Sequence, residues 1–201
     1  MPDSTTHVSL LDRLRDRPDA QAWEEFVARY RDLMLRVALR RGLAIHDAED
    51  VVQSSLARLA RALPNFVYRP EVGQFRGYLR TIVQNEIRRA AARRGRSGVP
   101  IDDGVLELMP VEPELAAAWE EEWEHHLLRL AYQCVRAEMS DKAVAVFEAL
   151  LAGETPAQVA ERTGTNLESV YKTKQRVQAR LQRSIAEQRK REEFRERRTI
   201  T

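Results

Sequence analysis

Thr155-Pro-Ala-Gln-Val-Ala-Glu-Arg-Thr-Gly-Thr-Asn-Leu-Glu-Ser-Val-Tyr-Lys-Thr-Lys-Gln-Arg-Val177 is the stretch that decides the fold. It contains two helix starts with a single glycine between them. Thr155 is placed to cap a first helix, Pro156 suits the first turn, and Gln158 completes a capping box. Gly164 stands where a left-handed residue ends that helix, and Asn166 can cap the next. Val159, Ala160, Leu167 and Val170 are spaced to pack the two helices across the turn. The second helix carries Lys172, Lys174, Gln175, Arg176, Arg180 and Arg183. A short helix, a glycine turn and a basic helix make a helix-turn-helix whose second helix suits a DNA major groove. The plainer alternative is a helical hairpin with a solvated charged face.

Working outward, the rest of the chain also reads as helix. Leu10, Leu11 and Leu14 fit a short helix. Trp23, Phe26, Val27, Tyr30, Leu33, Met34 and Val37 follow at helical spacing, with Gly42 as the stop. A helix capped by Asp47 is expected to run to about residue 63, burying Val51, Val52, Leu56, Leu59 and Leu63. A fourth, from about Phe75 to Arg94, turns Phe75, Leu79, Ile82, Val83, Ile87 and Ala90 inward. Gly95, Gly98, Pro100, Gly104, Pro110 and Pro113 then break the pattern. The next helix, from Glu114 to about Glu138, bears Trp119, Trp123, Leu127, Leu130 and Cys134. Ser140 caps another with Val144, Phe147, Leu150 and Leu151. No strand pattern competes. The expected fold class is all-α, two small helical domains joined by a flexible linker. Residues 1–95 form a bundle, 96–113 the linker, 114–183 the helix-turn-helix domain and 184–201 a charged tail or frayed helix.

The formal net charge of +2 conceals strong segregation. Between Arg76 and Arg96 seven arginines face the single acid Glu86, whereas Ser97 to Leu128 holds nine acids and no Lys or Arg. Basic residues return from Lys172 to Arg198. Two basic blocks around an acidic one point to two nucleic-acid surfaces and a middle that avoids phosphate. Near the first block, Phe66, Tyr68, Phe75 and Tyr78 interleave with Arg69, Arg76 and Arg80. Aromatic faces stack unpaired bases at about 1–3 kcal/mol each while arginines hold the backbone, so such a surface favours opened DNA. For Phe75 a core position on the apolar stripe is an equal alternative.

Catalytic readings find little support. His125 and His126 are adjacent, diverge on a helix and suit a solvated face. There is no Gly-rich phosphate loop, no Ser/His/Asp arrangement and no Cys/His metal spacing. No cofactor is expected, and no enzymatic role. Cys134 is the only cysteine, which excludes an internal disulfide, and its apolar neighbours suggest a buried thiol. With neither a signal-peptide pattern nor an apolar run of membrane-spanning length, a cytoplasmic location and no membrane partner are expected.

Four stretches together resemble the group IV, or extracytoplasmic-function, sigma factors of bacterial RNA polymerase, in particular forms common in planctomycete-like bacteria. Trp23-Glu-Glu-Phe-Val-Ala-Arg-Tyr30 resembles the opening of sigma region 2, and Asp47-Ala-Glu-Asp-Val-Val-Gln53 resembles region 2.2. Asn65-Phe-Val-Tyr-Arg69 through Gly73-Gln-Phe-Arg-Gly-Tyr-Leu79 resembles regions 2.3 and 2.4, and the helix-turn-helix resembles region 4.2. The resemblance implies a subunit that directs core polymerase to promoters and assists melting. It places Glu49, Asp50 and Gln53 against the β′ clamp helices. It places Asn65, Phe66, Tyr68, Arg69, Phe75, Arg76, Tyr78, Arg80, Asn85, Arg88 and Arg89 at the −10 element. Glu168, Tyr171, Lys172, Lys174, Gln175 and Arg176 fall at the −35 element, near the β flap. An anti-sigma protein is a further candidate partner; no small-molecule substrate is implied. Ser54 and Leu56 depart from the acid and phenylalanine common in region 2.2, and Tyr171-Lys172 from the usual recognition-helix pair. Two readings of other classes stand beside this one. One is a free-standing helix-turn-helix regulator on a palindrome; the other is an adaptor that holds a partner through the acidic middle.

Overall fold

The computed structural model describes residues 10, 11, 13, 14, 19–63, 75–94 and 111–193. Asn65, Phe66, Tyr68, Arg69, most of the linker and the end of the tail lie outside the described residues. Among the described residues, helical at 10, 11, 13 and 14 as well, these helices follow one another: α1 (Ala20–Arg40), α2 (Ile45–Ala62), α3 (Phe75–Arg94), α4 (Pro113–Ala137), α5 (Asp141–Leu151), α6 (Pro156–Thr163) and α7 (Leu167–Glu193). Among the described residues there is no strand, so the molecule is all-α. Two compact units divide it, one holding the described residues up to Glu124 together with those from Arg191 on, and the other His125–Lys190. The first half of α4 belongs to the first unit and the second half to the other.

In the first unit α2 packs against both α1 and α3. Helix α1 starts where the Asp19 carboxylate accepts the Ala22 N–H at 3.0 Å. It buries Phe26, Tyr30, Leu33, Met34 and Val37 at spacings of three and four. It ends as Gly42 takes φ +79°, with the Leu43 N–H returning to the Ala38 carbonyl at 3.3 Å. Helix α2 begins earlier than the expected Asp47 cap. Ala44 leaves the Gly42 turn extended and serves as N-cap without a side-chain bond, and Asp47 sits in the first turn. A carboxylate there still complements the helix dipole. The inward stripe of α3 is as expected, Phe75, Leu79, Ile82, Val83, Ile87 and Ala90 all being buried. Gln84, Asn85 and Glu86 are buried as well. Glu86 tolerates burial because Arg58, 3.1 Å away, and Arg89 both bind it.

The second unit has two apolar clusters. Ala131, Val135, Phe147, Val177 and Leu181 form one, with Tyr132, Met139 and Ile185 packed against it. Val146, Ala149, Val159, Ala160 and Val170 form the other. Tyr132 Oη donates to Glu148 Oε1 at 2.8 Å on the edge of the first. Helix α7 continues past Arg183 because Ile185 reaches this cluster and Gln188 is buried, which ties down a segment that composition alone leaves undecided between helix and tail. Four side chains differ from expectation. Cys134 is exposed, since Ala131 and Val135 take the inward positions on either side of it. His126 is buried although its neighbour His125 is exposed, the two diverging around the helix. Leu151 and Leu167 are exposed at helix ends, where the turn carries them off the packed face.

Candidate nucleic-acid surfaces

The recognition candidate is built from its caps upward. The Thr155 N–H donates to Gln158 Oε1 at 2.8 Å and the Gln158 N–H donates to Thr155 Oγ1 at 3.4 Å, closing the capping box. Gly164 ends α6 at φ +60°, a conformation a side chain resists. Asn166 Oδ1 then accepts the Ser169 N–H at 2.8 Å and starts α7. Val170 and Val177 fasten α7 to the core, which turns Glu168, Tyr171, Lys172, Gln175 and Arg176 outward on one stripe. Tyr171 is 47% exposed. Lys172 pairs with Glu168 at 2.6 Å, both almost fully in solvent. Lys174 is half-buried and lies off the stripe. This face presents cations, an amide and a phenol on a rigid helix, the chemistry that meets phosphates and base edges.

The second set lies on α3. Phe75 is 2% exposed, with its ring 5.9 Å from Phe26 and 6.0 Å from Tyr30, both edge-on. It is a core residue in this arrangement, because its position at the start of the apolar stripe points it at α1. Asn85 is also buried. Tyr78 is half-buried at 6.4 Å from Phe75. The four arginines are all ion-paired. Arg89 binds Glu86, Arg88 approaches Glu112 at 3.4 Å, and Arg80 approaches Glu120 at 3.7 Å. Arg76 binds Glu120 and lies 4.7 Å over the Trp123 ring. At the C-terminal end of α1, the capping residue Arg41 meets Glu112 at 2.7 Å, and Arg40 meets Glu122 at 3.0 Å and Glu121. Hydrogen bonds to Glu121 and Glu122 raise the Arg40 guanidinium's pKa above its ordinary value. No sequence signal paired these acids with particular arginines; only the alternation of charge blocks hinted at it.

The third set forms a ridge on α2. Asp50 and Gln53 are exposed, and Glu49 is half-buried against Arg31 at 3.2 Å. One turn earlier Ile45 is 48% exposed, an apolar residue on that ridge which the sequence reading passed over. Among the described residues no group of three His, Cys, Asp or Glu side chains could hold a metal ion, and no helix is long and apolar enough to cross a membrane.

Residues 26–97, which span most of α1 and all of α2 and α3, match the family model Sigma-70 region 2. This part of the chain is therefore similar to sigma region 2. Over 94 residues the chain is 34% identical to the ECF RNA polymerase sigma factor SigE of Mycolicibacterium smegmatis, covering 47% of this chain and 35% of that protein. The match thus spans about a third of the length of that curated relative. Among solved structures, CnrH in complex with the cytosolic domain of CnrY is similar with a TM-score of 0.36 at 20% identity, over 87% of this chain and 93% of that one.

Proposed function

We propose that this protein is an extracytoplasmic-function sigma factor of the planctomycete-like type, directing core RNA polymerase to specific promoters and assisting DNA melting. The observation that carries the reading is one chain holding both a Sigma-70 region 2 segment and a separately packed, fully capped helix-turn-helix. In this reading residues 1–95 dock on the polymerase and engage the −10 element, and 96–113 link the two functions. Residues 114–183 read the −35 element, followed by the charged tail 184–201. The exposed Asp50, Gln53 and Ile45 ridge meets the β′ clamp helices, and the second unit meets the β flap. Tyr171, Lys172, Gln175 and Arg176 enter the major groove, with Glu168 orienting Lys172. Tyr78, Arg76, Arg80, Arg88 and Arg89 hold the opened −10 strand, a role shared with Asn65, Phe66, Tyr68 and Arg69. Phe75 and Asn85 support that surface from beneath. Binding energy spent on unpaired bases drives the melting, and the chain performs no chemistry of its own. It works in the cytoplasm, and an anti-sigma protein is a fitting regulator.

The test is run-off transcription by bacterial core polymerase, with and without this protein, on fragmented genomic DNA of the source organism. Discrete new transcripts sharing two spaced upstream elements are expected. Absence of transcripts, with tight binding of the free protein to a palindrome, would replace this reading by a stand-alone regulator.

A further inference from the structure

Three of the arginines assigned above to the −10 strand, Arg76, Arg80 and Arg88, already have carboxylates on them, and these come from the same chain. Glu112 and Glu120 reach Arg88, Arg80 and Arg76 on α3, while Glu121 and Glu122 reach Arg40 on α1. The two segments run in opposite directions, Arg76 at Glu120 and Arg88 at Glu112, so the acids track the basic face along its length. The contact has a second component. The Arg76 guanidinium carbon sits over Trp123, 4.7 Å from the ring centre, and Trp123 is buried against Trp119 in a stack. A carboxylate beside an aromatic plane reproduces what a nucleotide offers an arginine, a phosphate beside a base.

We propose that the start of α4, Glu112 to Trp123, is an autoinhibitory latch that occupies the arginine face of α3 and must be displaced before single-stranded DNA can bind. The inference rests on the proposed role of that face. Each ion pair has at least one partner well exposed to water, so each is weak and exchangeable. A DNA strand carries denser charge and competes for several arginines together. The latch therefore discriminates against isolated phosphates and brief encounters, and yields to a strand held in place. It also gives a role to four of the nine acids that lie between Ser97 and Leu128.

The test compares the full chain with Glu112→Gln/Glu120→Gln/Glu121→Gln, all residues with substantial exposure. A control of equal charge change, Glu24→Gln/Asp32→Asn/Glu138→Gln, lies outside the latch and leaves those pairs intact. Fluorescence anisotropy with an oligo-dT of about 20 nucleotides reads binding, and hydrogen–deuterium exchange of residues 113–123 reads the latch without DNA. The latch variant is expected to bind about tenfold tighter than wild type. Its salt dependence should steepen by about 2 in log–log slope, because about three arginines no longer trade one anion for another. The control should change affinity by less than about threefold. Exchange in 113–123 should rise in the latch variant, and in wild type on adding oligo-dT. Equal gains from both variants, or exchange unchanged by substitution and by DNA, would overturn the latch. Faster exchange in the latch variant with no DNA binding by any form would instead overturn the assignment of this face to DNA, and leave the ion-paired closure standing.

Discussion

Replacing Phe75 by Ala tests whether this residue is core or a base platform. Its ring is almost wholly buried and meets Phe26 at 77° and Tyr30 at 62°, near-perpendicular contacts that favour edge-to-face attraction. Truncating a buried phenylalanine costs about 3–5 kcal/mol, of which the two aromatic contacts supply about 0.5–1.5 kcal/mol each. A loss of that size consumes much of a small unit's stability, so promoter defects in this variant would report unfolding rather than lost stacking. Native-state hydrogen exchange of the slowest α1 and α2 amides isolates the first unit, which a global melt of a two-unit chain cannot do. Their opening free energy should fall by about 3 kcal/mol or more, with α5 and α6 unaffected. The milder Phe26→Leu and Phe75→Leu pair should show a coupling of about 0.5–1.5 kcal/mol in a double-mutant cycle. A Phe75→Ala cost below about 1 kcal/mol with zero coupling would refute the core assignment and return Phe75 to the DNA surface.

Lys172→Ala and Arg176→Ala, both on the exposed stripe of α7, should each lower the salt slope of holoenzyme binding to promoter duplex by about 0.9, with permanganate-detected melting retained once bound. An unchanged slope would remove them from the phosphate contacts. Asp19 supplies an acid-side signature. The Ala22 N–H bond, then the Arg13 bond, holds its carboxyl below the ordinary 3.8, so the stabilisation is present above that value and is lost as pH falls through the folded pKa. Asp19→Asn keeps the capping oxygen but not the charge, so its urea midpoint should decline less steeply than wild type between about pH 5 and about pH 2. Parallel acid limbs would show that Asp19 is not linked to folding.

The caps and the turn of the helix-turn-helix were legible because their signals are local. Thr155 with Gln158, Gly164 and Asn166 each act within four positions along the chain, and each does in the structure what its spacing predicts. The α3 stripe was legible for a similar reason, since six apolar residues at helical intervals define one face without any neighbour being known. Periodicity failed at the margins of faces. Leu56 is only half-buried, Leu151 and Leu167 are exposed, Cys134 points out and His126 points in. How wide a buried stripe becomes depends on what packs over it, and the spacing of one helix does not contain that.

The sequence by itself determined the helical class, the caps that aim α7 outward, and the segregation of arginines from glutamates, because propensity, capping and composition need no distant partner. The tertiary structure alone decided that Phe75 closes the α1–α3 core and that Glu112 and Glu120 lie on Arg88, Arg80 and Arg76. Those choices join residues 24 to 49 positions apart in the chain. Ion pairs and ring contacts form within a few ångströms in space, and only the packed path of the chain settles which distant groups come that close.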